Sequence, residues 1–391
     1  MGLAGETGRK WRKGEKMRAE DLLRIMNTDF YTGVPDSLLS PLCNCLMKKY
    51  GEDGEHHVIG ANEGNCTAIA AGYHLATGKV PVVYMQNSGE GNMINPAASL
   101  LHPQVYGIPV LFVIGWRGEP GTYDEHQHVF QGRVTEKLLR DMEMDVHVIR
   151  KDTKEEEVKA AMHRFGHAFA KGQQAAFIVC KGALSYEEKM IYQNSYRMVR
   201  EDAVGHIAEA AGEDLVVATT GKISRELFEI REGQGAGHSR DFLTVGAMGH
   251  SSSIALGIAL QKRPAKVWCI DGDGAILMHM GAMAVIGKAA PDNLVHIAVN
   301  NEAHETVGGL PTAAGTTDLC LVAKACGYPY VASADTLEGL DEELDKAKKR
   351  KGLCFIEVKC AIGSRGDLGR PTTTAHENKR RFMEFLRDGK R

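Results

Sequence analysis

The sequence predicts an α/β protein made of two doubly wound parallel-sheet domains. Three features support this: short apolar runs alternate with longer helical patterns, the alternation runs through the chain twice, and glycine-rich polar segments follow the apolar runs. The chain has 391 residues, enough for two domains of roughly 150–200 residues each. We expect a first domain over 1–185, a linker over 186–200 and a second domain over 201–391.

The individual elements follow from the length and periodicity of each segment. Apolar runs that predict buried strands lie at 80–85, 109–114, 175–180, 215–218, 266–270, 295–299 and 353–358. Helical patterns between them lie at 61–76, 155–171, 200–211, 250–261, 275–289 and 337–351. Segment 181–199 has weak periodicity, so we interpret it as the connection between the domains. A loop rich in Gly, Arg and Thr precedes a last amphipathic helix.

Composition and charge exclude several classes of protein. The net charge is −3, and the basic clusters at 9–13 and 379–381 lie near the termini, which argues against binding to nucleic acid or to a membrane surface. Nine cysteines, an odd number without a CxxC pair, indicate buried reduced thiols. No apolar run approaches the ~18 residues of a membrane span, and no segment resembles a signal peptide. We therefore expect a cytoplasmic protein.

Polar glycine-rich loops follow the predicted strands. In open parallel sheets, ligands bind beyond the carboxyl ends of the strands. Eight segments of this kind occur, more than turns alone require: GVPDS, ANEGN, QNSGEGN, GWRGEPG, ATTGK, VGAMGH, DGDGA and NNEAHE. This pattern favours an enzyme.

Two common nucleotide motifs are absent from these loops. A P-loop requires a glycine five residues before Gly221-Lys222, where Val216 stands, and Ile223 replaces the required Ser or Thr. The Gly89-x-Gly91 pair does not continue into a full GxGxxG motif. A P-loop nucleoside triphosphatase and a dinucleotide-binding domain are therefore both disfavoured.

The DGDG and NN segments together indicate a metal–diphosphate site. Asp273 offers a carboxylate at one strand end, and Asn301 offers an amide oxygen at another. Taken singly, each segment is more simply a tight turn or a helix cap. Their combination, with 25 residues from 275 to 299 between them, favours a shared ligand. One carboxylate is too few for a dedicated protein cage, so the metal is expected to arrive with a phosphorylated ligand.

Gly272-Asp273-Gly274, a helix and Asn300-Asn301 resemble the cofactor fingerprint of thiamine diphosphate-dependent enzymes. Further matches in the family's order are GVPDS, ANEGNCTAIAAGYHLATG, QNSGEGNMINP and GAMGHSSSIALGIAL. The resemblance spans residues 31 to about 310 and implies the thiamine diphosphate-binding fold, with a pyrimidine-binding domain before a diphosphate-binding domain. It also implies Mg²⁺ and a homodimer or higher homo-oligomer with the cofactor at the subunit interface.

The resemblance assigns cofactor roles to particular positions. Glu63 is expected to bind N1′ of the aminopyrimidine, Met248 to pack beneath the bent cofactor, and the Gly246 carbonyl to accept from the amino group. Mg²⁺ is expected on Asp273, Asn301 and the carbonyl of Ala303. The remaining cofactor-binding expectations fall on Thr220, Gly221, Gly272, Gly274 and Ala275.

Within the family, the chain is most similar to the phosphonopyruvate decarboxylase branch, through GVPDS, IGWRGEPG, TTGKISRELFE and SRGDLGRPTTT. This implies decarboxylation of 3-phosphonopyruvate to phosphonoacetaldehyde and CO2 in phosphonate biosynthesis. Sulfopyruvate decarboxylase is the nearest alternative, followed by another 2-oxo acid decarboxylase or a carboligase. A non-catalytic relative would be expected to have lost Glu63, Asp273 or Asn301, and all three are present.

Substrate and proton-transfer residues are expected among the cations and acids of the loops. Arg117 and Arg365 are the first candidates for the phosphonate, because a guanidinium fork suits a tetrahedral oxyanion. Asn92 and Lys222 are further substrate-side candidates, with Arg133 and Arg370 as alternatives. Asp36 and His304 are expected to handle protons, with His126 and His128 as alternatives on a loop. No acidic residue stands clearly where larger relatives place a proton relay; Glu302 and Glu305 are nearby.

Overall fold

The computed structural model describes residues 16–305 and 309–388. The chain divides into two compact units, the first ending at Met190 and the second beginning at Ile191. The division falls inside the segment 186–200 that the sequence predicts as a linker. The pyrimidine-binding and diphosphate-binding roles of the two units remain predictions.

The first unit is built on a parallel sheet. Its strands are β1 (Met17–Arg18), β2 (Tyr31–Gly33), β3 (His57–Ile59), β4 (Val82–Gln86), β5 (Leu111–Gly115), β6 (Asp145–Ile149), β7 (Ala175–Val179) and β8 (Leu184–Ser185). Six of them pair in the order β3-β2-β4-β5-β7-β6, all parallel, and β1 pairs separately with β8. Its helices are α1 (Ala19–Met26), α2 (Ser40–Tyr50), α3 (Glu63–Thr77), α4 (Glu90–Pro96), α5 (His126–Asp141) and α6 (Glu155–Phe169).

The second unit repeats this plan with different residues. Its strands are β9 (Leu215–Ala218), β10 (Asp241–Leu243), β11 (Val267–Gly272), β12 (Leu294–Asn300), β13 (Ala303–His304), β14 (Leu310–Pro311), β15 (Tyr330–Ala334) and β16 (Cys354–Lys359). The parallel sheet has the order β10-β9-β11-β12-β16-β15, and β13 pairs antiparallel with β14. Its helices are α7 (Arg200–Ala211), α8 (Lys222–Gln234), α9 (Ser251–Gln261), α10 (Asp273–Met278), α11 (Gly281–Ala289), α12 (Leu319–Ala325), α13 (Leu337–Lys349) and α14 (Ala375–Asp388).

Both faces of the second sheet are covered, which explains why its interior strands are mostly apolar. One core cluster contains Trp268 and Ile270, and the other contains Val267 and Cys269, so alternate residues of β11 point into opposite cores. Within the described parts of the chain, no helix combines the length and the apolar character needed to cross a membrane.

Each of the eight polar loops follows a strand of one of the two sheets, as predicted. In each sheet the loops follow the first four strands in chain order, and these four are neighbours in the sheet. The order of connections reverses between β2 and β4, and again between β9 and β11. Doubly wound sheets bind their ligands at such a switch point.

Two sequence predictions differ from the structure. The helix predicted over 275–289 is interrupted at His279, whose backbone leaves the helical region while its ring stacks on His250. The segment Asp124–His128 is not all loop, because α5 already begins at His126.

Candidate active site

Glu63 is a buried carboxyl at the first turn of α3. The side chain of Asn62 caps this helix by accepting from the backbone amide of Asn65. Glu63 is 5% exposed, and Asn92 Nδ2 donates to its Oε2 over 2.7 Å. Burial raises the pKa of Glu63 above its ordinary value, although the hydrogen bond from Asn92 opposes the increase. Two predicted site residues, Glu63 and Asn92, are therefore in direct contact.

Gly89 provides the space that the Glu63 side chain occupies. A Cβ placed on Gly89 would lie 2.3 Å from Oε1 and 2.4 Å from both Cδ and Cγ of Glu63. The QNSGEGN segment of the sequence thus packs its first glycine, Gly89, against the carboxyl group predicted to meet the aminopyrimidine.

Asp36 is fully buried and holds the turn after β2. Its carboxylate accepts from Gln86 Nε2 at 2.7 Å and from the backbone amides of Leu38 and Leu39 at 3.1 and 3.2 Å. Burial raises the pKa of Asp36, and these donors oppose the increase. A structural role in the turn therefore accompanies the predicted role in proton transfer.

Arg117 is the predicted phosphonate residue of the first unit. Its Nε and NH2 groups donate to both carboxylate oxygens of Asp124, at 2.8 and 2.5 Å, and its NH1 lies 3.4 Å from Ser37 Oγ. Burial would raise the pKa of Asp124, but Arg117 lowers it well below its usual range. Arg117 lies beside the turn that contains Asp36, and its charge is already balanced by one carboxylate.

Asp273 begins α10 directly after β11. It is 4% exposed, and Thr312 Oγ1 donates to its Oδ2 over 2.6 Å. Burial raises the pKa of Asp273 to about 6, and the hydrogen bond from Thr312 holds it lower than burial alone would. No cationic side chain of the described residues pairs with this carboxyl, so a bound cation would meet an uncompensated acid.

Asn301 lies at the same edge of the sheet as Asp273, because β11 and β12 are parallel neighbours in which Gly272 is paired with Val299. Asn301 Nδ2 donates to Glu305 Oε2 at 2.8 Å, and its Oδ1 accepts from the Ala303 amide at 3.2 Å. Ala303 and His304 form β13, which pairs with β14 next to Thr312. The three predicted metal ligands thus belong to adjoining segments of the second unit.

His304, Gly274 and Met248 meet at one place. A Cβ on Gly274 would lie 3.3 Å from the His304 ring and 3.4 Å from the terminal methyl group of Met248. Burial lowers the pKa of His304 to about 4, so its imidazole is neutral at physiological pH. Of the neighbouring predicted positions, Gly272 is the last residue of β11 and Ala275 lies within α10.

Thr220, Gly221, Lys222 and Gly246 form a second group at the ends of β9 and β10. The Gly246 amide donates to Thr220 Oγ1 at 3.1 Å, and both glycines have positive φ, 102° at Gly221 and 67° at Gly246. Lys222 Nζ donates to Glu305 Oε1 at 2.6 Å and to Ser364 Oγ at 2.8 Å.

Arg365, the other residue predicted to bind the phosphonate, is held by acidic partners. Its guanidinium contacts Glu201 at 2.9 Å, Asp367 at 3.1 Å, and Glu229. Its neighbour Ser364 contacts Lys222, so the loop after β16 reaches the start of α8 even though Arg365 itself is occupied.

Sequence reasoning missed three residues that shape this site. Thr312 belongs to no motif, and Asn194 lies in the predicted linker yet donates to the Asn301 carbonyl at 2.9 Å. Gly89 matters only through the space that its missing side chain leaves for Glu63.

The two acids considered for a proton relay, Glu302 and Glu305, both accept hydrogen bonds from neighbouring side chains. Glu302 accepts from Tyr196 at 2.6 Å, while Glu305 accepts from Lys222, Arg200 and Asn301.

A second group of potential metal ligands lies deeper in the sheet. Donor atoms of Cys269, Asp271 and His296 lie within 4.8 Å of one another, and all three residues are buried. His296 Nε2 is 3.7 Å from Asp271 Oδ2, and His296 Nδ1 contacts Tyr328 at 3.0 Å. Three ligands enclosed in a core fall short of the four of a structural zinc site, so we assign no metal there.

The residues at the strand ends suit a divalent cation that carries a diphosphate. Asp273, the Asn301 side chain and the Ala303 carbonyl offer three hard oxygens, which leaves positions for phosphate oxygens and water. In the first unit, the buried Glu63 carboxyl with its raised pKa is suited to hold a proton against a heterocyclic nitrogen.

Comparison with known proteins identifies both units. Residues 19–139 match the family model of the thiamine pyrophosphate enzyme N-terminal TPP binding domain, and residues 219–358 match that of the C-terminal TPP binding domain. The chain is 35% identical over 371 residues to a phosphonopyruvate decarboxylase of Streptomyces viridochromogenes, covering 90% of each chain. A phosphonopyruvate decarboxylase of Streptomyces hygroscopicus is 36% identical, with 90% of this chain and 89% of that one covered. A sulfopyruvate decarboxylase of Methanosarcina acetivorans is 29% identical, with 83% and 86% covered.

Proposed function

We propose that this chain, which belongs to the thiamine pyrophosphate enzyme family and is a thiamine diphosphate-dependent 2-oxo acid decarboxylase, converts 3-phosphonopyruvate to phosphonoacetaldehyde and CO2. The observation that carries the choice of substrate is the similarity to two phosphonopyruvate decarboxylases over about nine-tenths of both chains. A place in phosphonate biosynthesis is part of the proposal.

The cofactor would be held by residues of both family domains. When bound, thiamine diphosphate supplies a nucleophilic carbon and a sink for the electrons released as CO2 leaves. Glu63 would hold a proton at the aminopyrimidine N1′, a role that its burial and raised pKa support. Asp273, Asn301 and the Ala303 carbonyl would hold Mg²⁺, while the Gly246 carbonyl would accept from the aminopyrimidine.

Two further groups are proposed to handle protons around the reacting carbon. His304 is neutral because burial lowers its pKa to about 4, so one ring nitrogen can donate and the other can accept. Asp36 has a raised pKa and is the acidic alternative on the first unit. Met248, whose methyl group lies near Gly274, would pack against the cofactor and exclude water.

The phosphonate group requires cations, and Arg117 is the proposed first partner. Its guanidinium is partly exposed and has Asp124 as its carboxylate partner, whereas Arg365 faces three carboxylates. A dianion could compete with one carboxylate more readily than with three, because each carboxylate already satisfies part of the guanidinium charge. Asn92 and Lys222 remain candidates for the substrate carboxylate.

The active species is proposed to be a homodimer or a higher homo-oligomer with the cofactor at the subunit interface. Light scattering gives the oligomeric state directly. A complementation test goes further: two inactive variants, Glu63→Gln and Asp273→Asn, should regain partial activity when co-expressed if one chain supplies Glu63 and another Asp273 to the same cofactor. Co-expressed variants without regained activity would contradict the shared site.

The experiment that tests the function measures aldehyde formation and CO2 release from 3-phosphonopyruvate, sulfopyruvate and pyruvate. Each reaction is run with and without thiamine diphosphate and Mg²⁺. A cofactor-dependent preference for 3-phosphonopyruvate supports the proposal. A preference for sulfopyruvate would leave the proposed roles of the site residues unchanged and replace the substrate. The 29% identity to a sulfopyruvate decarboxylase is the observation behind this alternative. Turnover of none of these acids would overturn the reaction.

A further inference from the structure

The two asparagines that end β12 and follow it are each held by a glutamate. Asn300 Nδ2 donates to Glu357 Oε1 at 2.8 Å, and Asn301 Nδ2 donates to Glu305 Oε2 at 2.8 Å. An ionised carboxylate has acceptors and no donor, so its partner must be the NH2 end of the amide. Each glutamate therefore decides which end of the neighbouring amide carries the nitrogen and where the oxygen points.

Glu305 is itself fixed by charge. Lys222 Nζ donates to its Oε1 at 2.6 Å, Arg200 NH1 donates to its Oε2, and its side chain is 9% exposed. Arg200 is buried and also donates from Nε and NH2 to Glu226, at 2.9 and 2.7 Å. A carboxylate held from two sides by cations does not rotate to follow an amide, so Asn301 must adjust to Glu305.

The orientation fixed in this way leaves the Asn301 oxygen available. Oδ1 accepts one hydrogen bond, from the Ala303 amide at 3.2 Å, and a carbonyl oxygen has a second lone pair. Asp273 has a matching arrangement, because Thr312 Oγ1 occupies its Oδ2 at 2.6 Å. Each side chain proposed to bind the cation thus has an outer partner, meaning a residue that hydrogen-bonds the ligand without contacting the cation. Glu305 restrains the rotation of Asn301, and Thr312 restrains that of Asp273.

We infer that Glu305 is a positioning residue for the divalent cation, acting through Asn301: it binds the amide nitrogen, holds Oδ1 toward the cation site, and does not itself touch the cation. This inference rests on the proposed function, since it takes Asn301 as a ligand of Mg²⁺. Outer partners that orient metal ligands typically change metal affinity 10–100-fold when they are altered.

The test compares three variants with the wild-type chain. Glu305→Gln replaces the carboxylate by a group that can also donate to Asn301, so the amide loses its fixed orientation. Glu226→Gln is the matched control, because it removes one negative charge from the same Arg200 without touching Asn301. The double variant Asn301→Asp with Glu305→Gln exchanges the two groups: the amide at 305 would donate to a carboxylate at 301, and the total charge is unchanged.

The readout is Mg²⁺ binding to the full chain in the presence of thiamine diphosphate and without substrate, measured by calorimetry. The Mg²⁺ concentration for half-maximal decarboxylation is measured in parallel. We expect Glu305→Gln to weaken Mg²⁺ binding about 10–100-fold, with most of kcat recovered at saturating Mg²⁺. Glu226→Gln should bind Mg²⁺ nearly as the wild type does, and the double variant should recover most of the lost affinity.

Several results would overturn the inference. Equal effects of Glu305→Gln and Glu226→Gln would assign the effect to the ion pairs and not to the amide. A double variant no better than Glu305→Gln would contradict orientation through Asn301. If Glu305→Gln does not fold, Glu305→Asp keeps the charge and shortens the side chain, and unchanged Mg²⁺ affinity there overturns the inference. A wild-type chain that binds no Mg²⁺ with thiamine diphosphate would instead refute the proposed function itself.

Discussion

Replacing Gly89 by alanine should inactivate the enzyme by displacing Glu63. The backbone of Gly89 is helical, with φ of −74°, so alanine is allowed there and the only obstacle is space. The new Cβ would lie 2.3–2.4 Å from three atoms of the Glu63 side chain, far inside the ~3.5–4 Å separation of non-bonded heavy atoms. The carboxyl group must therefore move.

The expected cost to activity is larger than the cost to stability. Glu63 can rotate, so the strain stays near the 1–3 kcal/mol of ordinary overpacking, with about 1 kcal/mol added for the lost hydrogen bond from Asn92. A positioned acid–base group contributes about 10²–10⁴-fold to the rate, and this is the loss expected for kcat. Gly72→Ala is the control, because it lies in α3 itself with open space around it and should stabilise the helix by about 0.5–1 kcal/mol.

The assay is the initial rate of CO2 release at saturating thiamine diphosphate and Mg²⁺, with urea unfolding on the same preparations. Glu63→Gln supplies the reference for complete loss of the carboxyl function. Adding Gly89→Ala to Glu63→Gln should reduce the rate little further, because both changes act on one group. Wild-type kcat for Gly89→Ala, or full additivity with Glu63→Gln, would refute the reasoning.

Three further outcomes follow from the contacts. Thr312→Val removes the donor to Asp273 Oδ2 and should weaken Mg²⁺ binding about tenfold in calorimetry; unchanged binding would show that the hydroxyl does not orient the ligand. Arg117→Ala should raise KM for 3-phosphonopyruvate about 10–100-fold while Arg365→Ala leaves it nearly unchanged, and the reverse order in steady-state kinetics would reassign the anion site. Glu90 is fully buried without a hydrogen-bond partner among the described residues, and burial raises its pKa to about 9. The Glu90 carboxyl therefore ionises at lower pH in the unfolded chain than in the folded one. The free energy of unfolding should fall as the pH rises from about 4.5 toward 9. Glu90→Gln should gain about 3 kcal/mol at pH 7 and flatten that dependence in urea unfolding, and an unchanged pH profile would contradict the assignment.

The strands that the sequence predicts and those it misses differ in their position in the sheet. All seven predicted strands, including β4, β9 and β12, lie inside the two sheets. They are buried on both faces, so most of their residues are apolar and the run stands out from its surroundings. The four edge strands were missed, because an edge needs less apolar surface: β10 begins with an aspartate, and β15 is only partly buried. β2 is interior but only three residues long.

The site divides in a similar way. Asp273 and Asn301 could be proposed as cation ligands from the sequence because a cation needs particular ligand atoms at strand ends, and those residue types recur in a recognisable order. The groups that orient them could not. A hydroxyl, an amide or a carboxylate can serve as an outer partner from any segment that folds nearby, and Thr312, Asn194 and Glu305 come from three different ones. Only the fold brings such partners together.

The shared strand order also explains why the two halves show a similar layout but no visible repeat. In each sheet the polar loops follow the same four neighbouring strands, so ANEGN after β3 corresponds to VGAMGH after β10, and QNSGEGN after β4 corresponds to DGDGA after β11. The strands must only be apolar and of suitable length, which many sequences satisfy. In the proposed function the loops each serve a different chemical task, so the carboxyl group proposed for a heterocycle, Glu63, and the one proposed for a metal, Asp273, occupy unlike positions in the two sheets. The requirements of packing therefore give both sheets the same strand order. The different tasks proposed for the loops explain why the two halves of the chain share no visible sequence repeat.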